Sequence, residues 1–141
     1  MARTQATIEI ERPAYDVFPW LLDPEKRLRW VTGLRSSEPV GESSFREVVQ
    51  EYGQRVEATA RVVRHEPPHA LDVAMTGRGF EAHAEHRLSE EGGRTRLTSS
   101  FDVRLSGLGR FAGGIVGRQM QRSVEQSLAR LKEILEAGTE R

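Results

Sequence analysis

The sequence predicts an α+β domain: a curved antiparallel sheet of seven strands, two short helices, and a long C-terminal helix packed across the concave face. Three observations carry this. Residues 34–105 alternate apolar and polar side chains with a period of two, punctuated by short turn signals. Residues 108–137 carry an apolar stripe at helical spacing. The 141 residues suit one domain, spanning 1–141, with a core of its own.

The first strand is read at 4–11, where Ile8 and Ile10 share one face. Pro13 ends it and suits the first turn of a helix. Tyr15, Phe18, Leu21 and Leu22 follow at helical spacing, and Pro19 makes that helix short or bent. Asp23 precedes Pro24 as the N-cap of a second short helix, which carries Leu28 and Trp30 and breaks at Gly33. Strands are then read at 34–40, 44–52, 55–64, 70–77, 79–88 and 94–105. Links of two to five residues permit only hairpins, so the sheet is antiparallel. Its inward rows include Val56, Ala58, Ala60 and Val62, then Leu71, Val73 and Met75. Phe80, Ala82, Ala84, His86 and Leu88 follow, then Leu97, Ser99, Phe101, Val103 and Leu105. Such a face needs a cover. The cover is the last helix, whose stripe runs Leu108, Ala112, Ile115, Val116, Met120, Val124, Leu128, Leu131 and Leu135, ahead of a terminating Gly138.

Composition narrows the function. The 21 basic and 21 acidic residues cancel, which gives no reason to propose a nucleic-acid partner. The chain has no cysteine, so disulfides, thiolate metal sites and a cysteine nucleophile are excluded. No apolar run approaches the roughly 20 residues of a membrane span. The start, MARTQATIEIERP, turns polar at once, so no signal peptide is expected and a cytoplasmic location is the working expectation.

Several motifs invite chemistry. Gly107-x-Gly109-x-x-Ala112 follows a strand and opens a helix, as a dinucleotide fingerprint does. No second parallel strand follows it, so it reads as a glycine-rich lead-in to the helix, and no cofactor is expected. Gly113, Gly114 and Gly117 are unfavourable inside a helix and point either to close sheet contact or to open space beside it. His65 and His69 flank Pro67-Pro68 in a turn, while His83 and His86 point to opposite faces, so no metal site is expected. His86 sits alone among inward apolar residues: a hydrogen-bonded core residue, or a group that orients or protonates a ligand. The turn at Gly53-Gln54 leaves two registers open. With Tyr52 opposite Arg55, the residues Phe45, Glu47, Val49 and Glu51 face inward, and Glu47 is either a buried carboxylate of raised pKa, suited to acid–base work, or a solvated rim residue. Slipped by one, Arg46, Val48, Gln50 and Tyr52 face inward, and Arg46 or Tyr52 would hold a ligand oxygen. No nucleophile elbow or phosphate loop is present.

The order of elements, with the stretches IEIERPAYDVFPWLLDPEKRLRW, RVEATARVVRHEPPHAL, GGRTRLTSSFDVRLSGLGRF and SVEQSLARLKEILE, resembles the START-like superfamily, also called SRPBCC or Bet v 1-like. Among its members it is most similar to the bacterial polyketide cyclase/dehydrase and lipid-transport family. The resemblance implies a helix-grip fold with a cavity between sheet and long helix. It implies a small hydrophobic ligand there: a lipid, polyketide or aromatic compound. Trp30 would border the cavity mouth. The inward Phe45, Val49, Met75, Phe80, His86 and Phe101, with Val116 and Met120 from the helix, would line it. Two alternatives stay open. One is a polyketide aromatase/cyclase using His86, Glu47 or Tyr52 as its acid or base. The other is an interaction protein with a closed, vestigial cavity. A homodimer is compatible with all three.

Overall fold

The computed structural model describes residues 2–51, 53–106 and 113–138; the side chains of residues 2 and 113–117 lie outside that description. Strand β1 (Ala2–Ile10) leads into helices α1 (Ala14–Leu22) and α2 (Pro24–Trp30). Six strands follow: β2 (Leu34–Pro39), β3 (Ser44–Glu51), β4 (Gln54–Glu66), β5 (Ala70–Gly77), β6 (Phe80–Glu91) and β7 (Arg94–Leu105). Helix α3 (Gly113–Ala137) ends the chain. The seven strands form one antiparallel sheet in the order β1-β7-β6-β5-β4-β3-β2. Only β1 leaves sequence order, pairing with β7 so that the chain's first strand closes one flank.

Local chemistry explains the helices. Pro13 precedes α1, and the Ala14 N–H that opens it donates to the Glu90 carboxylate at 2.7 Å. Pro19 does not split α1, which runs through it; Val17, Phe18 and Leu21 are buried, while Tyr15 is exposed. Asp23 caps α2 by accepting from the Glu25 and Lys26 backbone N–H groups, with Pro24 in the first turn.

The core sits where α1 and the C-terminal part of α3 meet one end of the sheet. Ile10, Leu71, Leu97 and Leu131 are fully buried there, with Val17, Leu88, Leu128 and Leu135 around them. Each such side chain contributes about 1.5–3 kcal/mol by leaving water. The apolar stripe read for the helix faces this core from Val124 onward; its first members, from Leu108 to Val116, lie outside the described side chains.

Two departures from simple alternation matter. In β4 the pairing shifts between Val62 and Arg64, and Val63 is the extra residue. Beyond the shift His65 stands opposite Leu71, and its ring lies 5.6 Å from that of Phe18. A second shift lies between Leu34 and Ser36 in β2, after which Ser37 stands beside Glu47. The β3–β4 turn also corrects the expected register. Glu51 pairs with Gln54, so the turn falls one residue earlier than Gly53-Gln54, with Gly53 at φ 76°. Moving a two-residue turn by one residue shifts every partner by two, which keeps the faces. Phe45, Glu47 and Val49 therefore oppose Ala60, Ala58 and Val56 on one face. The inward row expected from the alternative register is not formed: Arg46 and Gln50 are exposed, although Val48 between them is buried.

Candidate functional site

Away from that core, α3 and the sheet stand apart. The inner face there carries the short side chains of Ala60, Val62, Val73 and Ala84, which line a space beneath the helix. The gap is a cavity of about 360 Å³. Its floor is that face with Met75 and Phe101, and its side wall is Phe45, Glu47, Val49 and Glu51 of β3. Helix α3 roofs it with Gln119, Met120, Ser123, Val124, Ser127 and Leu128. The α2 end supplies Arg27, Trp30, Val31 and Thr32. Trp30 is held in place because its indole N–H donates to the Trp20 carbonyl at 2.8 Å. The loop after α2 is tied to α3 by Ser127, whose hydroxyl accepts from the Thr32 N–H at 2.9 Å and donates to the Thr32 hydroxyl at 3.0 Å.

Three acid–base side chains stand among the polar groups of this mostly apolar lining. His86 is 7% exposed; its Nδ1 lies 2.7 Å from the Ser99 hydroxyl, and its ring meets Phe101 edge-on. Burial, followed by the positive charge of Arg27, lowers its pKa from 6.5 to about 4, so the imidazole is neutral at pH 7. Nε2 has no hydrogen-bond partner among the described residues. The second group is Glu47, 4% exposed, which accepts from the Arg27 guanidinium and from the Ser37 hydroxyl at 2.8 Å. The third is Glu51, which accepts from the Ser123 hydroxyl at 2.5 Å. Its stem lies over Gly33, where any Cβ would overlap it; Gly33 itself sits at φ 81°.

Of the residues expected from sequence, Trp30, Phe45, Glu47, Val49, Met75, His86, Phe101 and Met120 line the cavity. Phe80 does not belong to the wall that the described residues form. Its ring folds over Gly77, its partner across the β5–β6 hairpin, and packs with Ala82 and Val103. Val116 and Tyr52 lie outside the described residues, as do Gly107, Gly109 and Ala112 and the surroundings of Gly113, Gly114 and Gly117. Glu47 is not a solvated rim residue: it is buried in an ion pair. Sequence reasoning passed over Arg27 and Ser37. For Arg27 the one hint was its one-turn spacing from Trp30, which puts both on one face of α2 without indicating Glu47 as a partner. Among the described residues no three histidine, aspartate or glutamate side chains converge as metal ligands, and no helix is long and apolar enough to cross a membrane.

Comparison with known proteins places this architecture. A START superfamily protein from Mycobacterium smegmatis superposes with a TM-score of 0.85 at 16% identity, covering 97% of this chain and 99% of that one. A conserved protein from Geobacillus kaustophilus gives 0.83 at 18% identity, covering 96% and 95%. A protein from Thermus thermophilus gives 0.81 at 21% identity, covering 96% and 98%. At such identities the likeness shows the fold, the helix-grip arrangement of a sheet around a long C-terminal helix. No curated protein is similar enough to match. The family model described as polyketide cyclase / dehydrase and lipid transport matches residues 1–136. The chain therefore belongs to the polyketide cyclase/dehydrase and lipid-transport family.

Proposed function

We propose that the protein binds a small hydrophobic ligand, a lipid, polyketide or aromatic compound, between the sheet and α3. The observation that carries this reading is the cavity itself: about 360 Å³, mostly apolar, with a few polar groups at set positions. Ligand sites have this composition because apolar walls supply affinity and sparse polar groups supply orientation. A ligand burying about 300 Å² of apolar surface would gain about 7 kcal/mol before association costs are subtracted. Trp30, Phe45, Met75, Phe101 and Met120 would contact its body, and His86 would orient a polar group through Nε2. The void weighs against an interaction protein with a closed interior.

The test is native mass spectrometry of protein purified from its own host, paired with titration of an apolar fluorophore. Ala84 lies in the cavity floor, so Ala84→Leu should fill space and weaken fluorophore binding while leaving the circular dichroism spectrum unchanged. A fluorophore that never binds, or binds the filled variant equally well, would refute the reading.

One observation favours a second reading, a polyketide aromatase/cyclase. The neutral His86 imidazole stands in the cavity wall with a nitrogen free to take or give a proton. Turnover of a candidate polyketide by wild type, His86→Gln, Glu47→Gln and Tyr52→Phe decides it; activity surviving all three substitutions leaves binding alone.

A further inference from the structure

We infer that the cavity rejects amphiphiles that carry a carboxylate in favour of ligands whose polar end is a neutral hydroxyl or carbonyl oxygen. The inference rests on the cavity-binding reading and names the ligand class. It follows from the charges in the wall. Arg27 is the one cationic side chain that the described residues place there. Its guanidinium is already paired with Glu47, which is buried and further held by Ser37. An incoming carboxylate would have to take Arg27 from Glu47 and leave a buried anion with a hydroxyl as its remaining partner, an arrangement that strongly disfavours the exchange.

The other charge in the wall is Glu51. The absence of a side chain at Gly33 lets its stem lie against the backbone, and Ser123 on α3 fixes its carboxylate. No described cation forms an ion pair with it. Counted together, Arg27, Glu47 and Glu51 leave the described part of the lining with a net negative charge. His86 adds no positive charge at neutral pH, because burial keeps its ring unprotonated. A ligand carboxylate about 6 Å from Glu51 at an effective dielectric of about 20 would bind about a hundredfold more weakly than its neutral counterpart. Solvent around the half-buried Glu51 reduces that to about tenfold. A hydroxyl or carbonyl incurs no such repulsion and can meet the free Nε2 of His86, as donor or acceptor according to the tautomer.

The experiment is competition of naphthol and naphthoate, one ring system with a neutral or an anionic end, against a bound apolar fluorophore at neutral pH. Wild type should prefer naphthol by at least about tenfold. Glu51→Gln keeps the shape and the acceptor for Ser123 but removes the charge. It should tighten naphthoate several-fold more than it changes naphthol, which separates the effect of the wall from the poorer hydrophobicity of any carboxylate. Equal competition by the two compounds in wild type, or a preference that Glu51→Gln leaves untouched, overturns the inference while the cavity reading stands. A fluorophore that does not bind at all removes both.

Discussion

Replacing Arg27 by methionine would test the polar side of the cavity most directly. The side chain of Glu47 is 5% exposed and that of Arg27 21%, so the carboxylate is the more deeply buried partner. Methionine keeps the length of the stem but leaves the anion with only the Ser37 hydroxyl. Removing one partner of a buried ion pair costs about 3–5 kcal/mol, and the partial exposure of Arg27 places this case near 3. For a domain of this size that is a fall in Tm of about 10 °C. Urea unfolding of wild type, Arg27→Met, Glu47→Leu and the double variant supplies the measurement. Because the cost comes from the stranded charge, the double variant should recover to within about 1 kcal/mol of wild type, and the cycle should give a coupling of about 2–3 kcal/mol. A loss below 1 kcal/mol in Arg27→Met would refute the reasoning. It would mean that water in the cavity solvates Glu47 well enough to replace the guanidinium.

Other consequences follow from the same geometry. His86 is protonated only near pH 4 in the folded chain but near 6.5 when unfolded, so the unfolded state binds more protons between those values. Stability should therefore be full above pH 6.5 and fall by about 3 kcal/mol as pH drops to 4, a loss that His86→Gln removes from the urea-unfolding profile; an NMR titration placing the ring near 6.5 would exclude it. Leu131→Ala, at a fully buried position against Ile10 and Leu97, should cost about 3 kcal/mol or more by chemical denaturation. Gly33→Ala meets both a left-handed backbone and the Glu51 stem, and should lose about 1–2 kcal/mol in the same assay. Thr4 carries a buried hydroxyl with no partner among the described residues, so Thr4→Val should raise stability by about 1 kcal/mol.

What could be read from the sequence divides along a physical line. Strand faces were legible because the period of two is a property of the chain itself, and it survives a misplaced turn. The β3–β4 turn lies one residue away from Gly53-Gln54, yet Phe45, Glu47 and Val49 still face inward, because the partners moved by two. His86 and Ser99 were legible for the same reason, each inward on its own strand and opposite the other in the β6–β7 hairpin. Position along a strand was not legible. Phe80 has the right face, but its ring is drawn over Gly77, a contact set by the hairpin rather than by alternation. Nor was the partner of Glu47. The seven residues of α2 are too few to show a stripe, and Arg27 reaches Glu47 only because tertiary packing lays that helix across the sheet. The pairing shift before Ser37 hides the third member, since an inserted residue breaks the alternation that would have marked it. The candidate site thus joins two kinds of information: an apolar floor written in strand periodicity, and charged groups whose meeting depends on packing between elements distant in sequence. The first kind argues that a ligand is bound. The second decides which ligand, and it is the part that Arg27, Glu47 and Glu51 will settle by substitution.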